Sequence, residues 1–158
     1  MARQTPLGDV VEYAFAGNKN PMQPNHTVKK LGLKPGMRAL VATAPSGYLK
    51  SLAPLPEGVA VSEAIGGSHD FVQLFAVKKS EIEKSAKRLL QSAAPGALVW
   101  ITYPKKTSGV ESDLSREAVW AAMEGTEWRP VSQIAIDDVW SALRFRPIKD
   151  VKSRKSGK

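Results

Sequence analysis

Four lysines stand at the ends of apolar runs in this 158-residue chain: Lys78 and Lys79 close the run 71–77, and Lys105 and Lys106 follow the run 97–103. A third run, 37–44, ends in Pro45-Ser46-Gly47-Tyr48. In open α/β sheets ligands sit beyond the carboxyl ends of the strands. Helix starts at that edge offer backbone amides, and lysines add point charge, so the spacing suits an anion such as a phosphate, a nucleotide or a carboxylate. The candidate ligand-binding residues are Ser46, Gly47, Tyr48, Lys78, Lys105, Lys106, Ser108 and Gly109. A second chemistry involves Gly47 and Glu63. A glycine in the first turn and an acid ending the second strand would hold the ribose end of S-adenosylmethionine or a nucleotide. That turn contains one glycine rather than G-x-G-x-x-G, and Pro45 has no amide to donate.

Other chemistries are poorly provided for. Ser46, Ser108 and Ser141 lie outside any G-x-S-x-G elbow. His69 and Asp70 are adjacent in sequence, which is not the orientation a catalytic base needs from its partner. Asp137-Asp138 reads as a turn. The absence of cysteine rules out disulfides, thiol nucleophiles and Cys-based zinc sites, and two histidines do not make a multi-His centre. No catalytic residue and no metal ligand is assigned, and the anion-binding reading requires no cofactor.

These positions depend on the elements that carry them. Lys34-Pro35-Gly36 opens the strand 37–44, Val59 to Ala64 forms a second and 71–77 a third, apolar on both parities and so central. Ser46 could cap a short helix that Pro54 and Pro56 stop. Ser80 and Glu83 have capping-box spacing, and Ile82, Ala86, Leu89, Leu90 and Ala93 follow as one apolar stripe, ended by Pro95-Gly96. After the strand 97–103 and a polar loop comes a helix over about 114–124, with Leu114, Ala118, Ala122 and Met123 inward. Two last strands, 131–136 and 139–145, are joined so tightly that they must be antiparallel. Leu143 and Phe145 alternate with Arg144 and Arg146, as at a sheet margin wet on one face. Trp100 is expected in the core, and Trp140 over the sheet at the hairpin.

The fold class expected is α/β: a single Rossmann-like, class I methyltransferase-like domain over 28–147, mostly parallel with a C-terminal antiparallel hairpin. Residues 1–27, dense in Pro, Gly and Asn, read as a flexible arm. Its cluster Val10, Val11, Tyr13 and Phe15 could dock on the domain, on a protein partner or on a second copy. Residues 148–158 read as a disordered basic tail. One link resists a simple layout. Only six residues, 65–70, separate the second and third strands, and a parallel crossover needs a dozen or more. Either the second strand is short and the link runs extended across a sheet end, or the two strands pair as a hairpin.

The net charge of +8 is unevenly placed. Five bases and one acid fall in 149–158, four bases and two acids in 1–30, and fourteen bases and twelve acids in between. The body is thus nearly balanced, which argues against a nucleic-acid module there. With 42% apolar residues the chain can build a core, and no run approaches the ~20 residues of a bilayer span. With no export signal either, the cytoplasm is the expected compartment.

Several segments, in this order and spacing, carry a resemblance: 30–38 (KLGLKPGMR), Ala44-Pro45-Ser46-Gly47-Tyr48, 103–110 (YPKKTSGV), Ser112-Asp113-Leu114 and 138–145 (DVWSALRF). Over about 28–147 the chain resembles the bacterial family catalogued as domain of unknown function 3052. The resemblance implies a compact cytoplasmic bacterial protein of Rossmann-like form, and it implies no particular activity. Two functions remain open: a binding or regulatory module holding a small anion at the strand ends, or a divergent S-adenosylmethionine- or nucleotide-dependent transferase.

Overall fold

The computed structural model describes residues 26–149. The expected arm and tail therefore lie outside the described residues, apart from His26, Thr27, Ile148 and Lys149. Helix α1 is His26–Leu31 and strand β1 Arg38–Ala42, followed by α2, Tyr48–Ser51, and β2, Ala60–Ser62. Then come β3 His69–Phe75, α3 Lys79–Gln91, β4 Ala93–Pro104, α4 Arg116–Ala122, β5 Trp128–Ala135 and β6 Trp140–Pro147. The six strands form one sheet in the order β2-β1-β3-β4-β6-β5. The first four are parallel, and β6 is antiparallel to both its neighbours.

The order resolves the short link. β2 and β3 do not pair with each other; each pairs in parallel with β1 between them. β2 has only three residues, so residues 63–68 can return across the sheet. Six extended residues reach ~20 Å, enough to cross two strand spacings of ~5 Å each. Ile65 packs against the core of the α3 face, so this link passes over the sheet where a crossover helix would otherwise lie.

Helices cover both faces. Ile82, Ala86 and Leu89 of α3, with Val119 and Ala122 of α4 and Met123 just after it, bury Leu40, Val72, Leu74, Val99 and Ile101. On the other face Val28 and Leu31 of α1 and Tyr48 and Leu49 of α2 bury Ala39, Val41, Phe71, Phe75 and Trp100. At the bottom of the sheet Arg38 and Asp70 pair with two charged contacts, and Asp70 also accepts the Arg38 amide.

Four sequence expectations need correction. The residue before α2 is Gly47, in left-handed geometry at φ 86°, and not Ser46 as side-chain cap. α3 begins at Lys79, so the acid that reaches back is Glu81, not Glu83. Its carboxylate accepts from the Val77 and Lys78 amides, because N3 is the position from which a glutamate can turn back on the first turn. The helix ends at Gln91, before Pro95-Gly96, and β4 already begins at Ala93. Finally, β6 is inside the sheet and β5 forms the margin.

Candidate functional site

The chain turns from β1 to β2 on one side and to β3 on the other. The strand order therefore reverses between β1 and β3, the topological switch point at which open α/β sheets bind ligands. A cleft of about 340 Å³ opens there, between Thr43, which follows β1, and Val77 with Glu81, Lys84 and Ser85 beside the first turns of α3. Trp140 adds an aromatic wall.

Thr43 follows β1 in left-handed backbone geometry, φ 57°, unusual for a β-branched residue. Its hydroxyl lies 2.6 Å from the carbonyl oxygens of both Ala42 and Phe75, tying the β1 exit to β3. Strain of this kind concentrates at functional turns. Ser46 and Gly47 are exposed, and a Cβ at Gly47 would meet nothing within 4 Å. Tyr48, by contrast, turns inward. Its hydroxyl donates to Gln73 Oε1 at 3.0 Å, and Gln73 Nε2 donates to Thr102 Oγ1 at 2.9 Å. Burial pushes the Tyr48 phenol up, so it remains a donor. The Tyr48 ring meets Phe75 edge-on, and Phe75 meets Trp140 likewise, forming an aromatic row under the rim.

The segments after β1, β3 and β4 emerge on one edge, because these strands are parallel neighbours. The expected lysines nevertheless do not share one basin: none of them lines the cleft beside Thr43, whose one lysine is Lys84. Lys105 and Lys106 line a second cleft with Ser112, Asp113 and Ser115. Between the clefts, Ser112 and Asp113 bind Val77: the Ser112 hydroxyl and the Asp113 amide both donate to its carbonyl. Ser108 and Gly109 belong to the 3₁₀ turn 106–108 and its exit, where the Ser108 hydroxyl accepts from the Val110 amide. Lys78 is exposed at the start of α3.

The amides expected to attract an anion at α3 are already satisfied by carboxylates. Glu81 takes those of Val77 and Lys78, and Asp113 accepts from Lys79 at 2.8 Å. Sequence reading missed this because Asp113 arrives from a distant loop. Replacing Glu81 or Asp113 with Ala is expected to lower stability by about 1 kcal/mol, more for Glu81, which releases two donors. The midpoint of urea unfolding measures this, and unchanged midpoints in both variants would refute the capping roles.

Glu63 follows β2 at the same edge, exposed and without an ion-pair partner among the described residues. The other candidates have structural duties. Asp70 is held by Arg38, which keeps its carboxyl below the usual range, and His69 Nε2 bonds to the Gly66 carbonyl. Asp137 accepts the Val139 and Trp140 amides in the hairpin turn. Among the described residues no cluster of three metal-ligating side chains occurs, and no helix is long and apolar enough to cross a membrane.

No family model matches the chain, and neither does any curated protein at a significant level. Solved structures do. An S-adenosylmethionine-dependent methyltransferase from Aquifex aeolicus is 18% identical, with a TM-score of 0.60 over 75% of this chain and 86% of that one. The DhpI–SAH complex is 13% identical, with a TM-score of 0.55 over 77% and 82%. The magnesium protoporphyrin IX methyltransferase of Synechocystis PCC 6803, with bound SAH, is 12% identical, with a TM-score of 0.52 over 76% and 78%. With its parallel strands, antiparallel closing pair and helices on both faces, the chain has the Rossmann-like fold of class I methyltransferases.

Proposed function

We propose that this chain is a divergent transferase that binds S-adenosylmethionine across the carboxyl ends of β1, β2 and β3. The observation that carries the reading is the charge pattern at the switch point. The cleft beside the β1 exit carries one carboxylate, Glu81, and one ammonium, Lys84, and the exposed Glu63 follows β2. A zwitterionic amino-acid moiety with a sulfonium suits that pairing, and a carboxylate at the end of β2 suits two ribose hydroxyls. A phosphate-bearing nucleotide is less well served: the turn has no glycine-rich cradle, Pro45 donates no amide, and the α3 amides already face carboxylates. The fold likeness to methyltransferases holding SAH adds support.

When bound, S-adenosylmethionine supplies a methyl group on an electrophilic sulfonium. The chain's part is to bind and orient. Glu63 would accept hydrogen bonds from the ribose hydroxyls, Lys84 would pair with the ligand's carboxylate, and Gly47 would leave room for close backbone approach. The half-buried Trp140 walls the cleft against water.

Calorimetric titration of the full chain with S-adenosylmethionine and S-adenosylhomocysteine tests this. Both should bind, and Glu63→Gln should weaken them about tenfold, the loss of one or two charge-assisted hydrogen bonds. Inorganic phosphate should have no effect. If phosphate alone stabilises the protein, and Lys105→Ala with Lys106→Ala abolishes that, the anion-binding module is the correct reading instead.

A further inference from the structure

The sheet face that carries α1 and α2 also carries three arginines on the β5–β6 hairpin. Arg129 stands directly opposite Arg146, and Arg144 opposite Ser132. Strand parity fixes the face. Leu143 and Phe145 point into the core under α3 and α4, while Ala142 and Ile134 pack under α1 and α2, so Arg144 and Arg146 share the latter side. Like charges directly opposite in an antiparallel pair are unfavourable. No acid relieves them: among the described residues the ion pairs are Arg38–Asp70 and Lys79–Glu83. The Nε of Arg144 is buried with no hydrogen-bond partner, an orphaned charged donor of the kind folds avoid. On the same face α1 exposes Lys29, and the Lys30 ammonium donates to the Ala135 carbonyl of β5.

Three unpaired cations spread over one face suit an anion larger than a single ion. Arg144 and Arg146 are two residues apart along a strand, ~7 Å, and Arg129 lies a further strand spacing of ~5 Å away. A repeating phosphate backbone matches that spread. The near balance of charge over 31–148 does not oppose this, because a sum over sequence says nothing of which bases share a face. We propose that this face of the β5–β6 hairpin binds the phosphodiester backbone of a nucleic acid. The proposal is independent of the transferase reading, which concerns the carboxyl edge of the sheet.

Fluorescence polarisation of the full chain with a labelled single-stranded RNA, and with duplex DNA of equal length, over a salt series provides the test. The Arg129→Gln, Arg144→Gln, Arg146→Gln variant should bind at least tenfold more weakly at low salt, and its log–log salt slope on RNA should flatten by about 2, the counterions that three phosphate contacts release. Ser132→Glu, at an exposed position opposite Arg144, supplies the missing acid while leaving every arginine in place. It should weaken binding without lowering the melting temperature, which keeps the test decisive if the triple variant misfolds. The relative affinities for RNA and DNA identify the strand type. Wild-type binding by Ser132→Glu would overturn the proposal. So would complete loss in the tail variant Lys152→Gln, Arg154→Gln, Lys155→Gln, or equal affinity for an acidic peptide.

Discussion

Replacing Gln73 with Leu is expected to cost about 3 kcal/mol, although the new side chain is similar in size and more apolar. Gln73 is fully buried in the middle of β3, and its amide joins the Tyr48 hydroxyl to the Thr102 hydroxyl, itself fully buried on β4. Removing the amide leaves two hydroxyls without partners in the core, and each orphaned group costs ~1–3 kcal/mol. Apolar replacement of all three should behave differently. Tyr48→Phe, Gln73→Leu and Thr102→Val together remove every orphan, so the triple variant should fall within about 1 kcal/mol of the parent. Urea unfolding of the single and triple variants decides the matter. A single variant as stable as the parent would mean that the chain of hydrogen bonds does not bear on stability. The chain also anchors α2, and with it the turn 43–47 at the candidate site, so the single variant should loosen ligand binding as well.

Trp100→Ala should be the other severe change, at about 3–5 kcal/mol. Trp100 lies in β4, 3% exposed, and its indole Nε1 donates to the Leu31 carbonyl at 3.0 Å. That bond satisfies a carbonyl at the end of α1, a six-residue helix too short to stand alone. Trp100 thus fills the α1 face and fixes the helix on it. Trp100→Phe keeps most of the volume and loses only the hydrogen bond, so about 1 kcal/mol is expected. Hydrogen exchange should place the damage: amides of α1 exchange faster in both variants, those of α3 only in the Ala variant. Equal exposure of α1 and α3 in the Phe variant would argue against the docking role.

Residue pattern alone specified the layering and most element types, though not α1, whose six residues carry no period or cap that announces a helix. The runs 37–44, 71–77 and 97–103 are apolar on both parities because parallel strands covered on both faces have no wet side, and the structure puts β1, β3 and β4 there. The stripe through Ile82, Ala86 and Leu89 specified α3, and the tight Asp137-Asp138 connection specified an antiparallel pair. These are local signals: breakers set the ends, and side-chain period sets the buried face. The remaining features come from long-range packing. That β1 lies between β2 and β3 depends on strand pairing, which residue pattern does not encode, and it is this order that creates the switch point. That Tyr48 faces Gln73 rather than solvent depends on how α2 lies on the sheet. That Asp113 occupies an amide at the start of α3 depends on a loop folding back across the edge, which turned an expected anion cradle into a capped helix. The hairpin register likewise set Arg129 opposite Arg146. Backbone preference and burial are properties of a short segment, whereas which charges meet is a property of the packed whole.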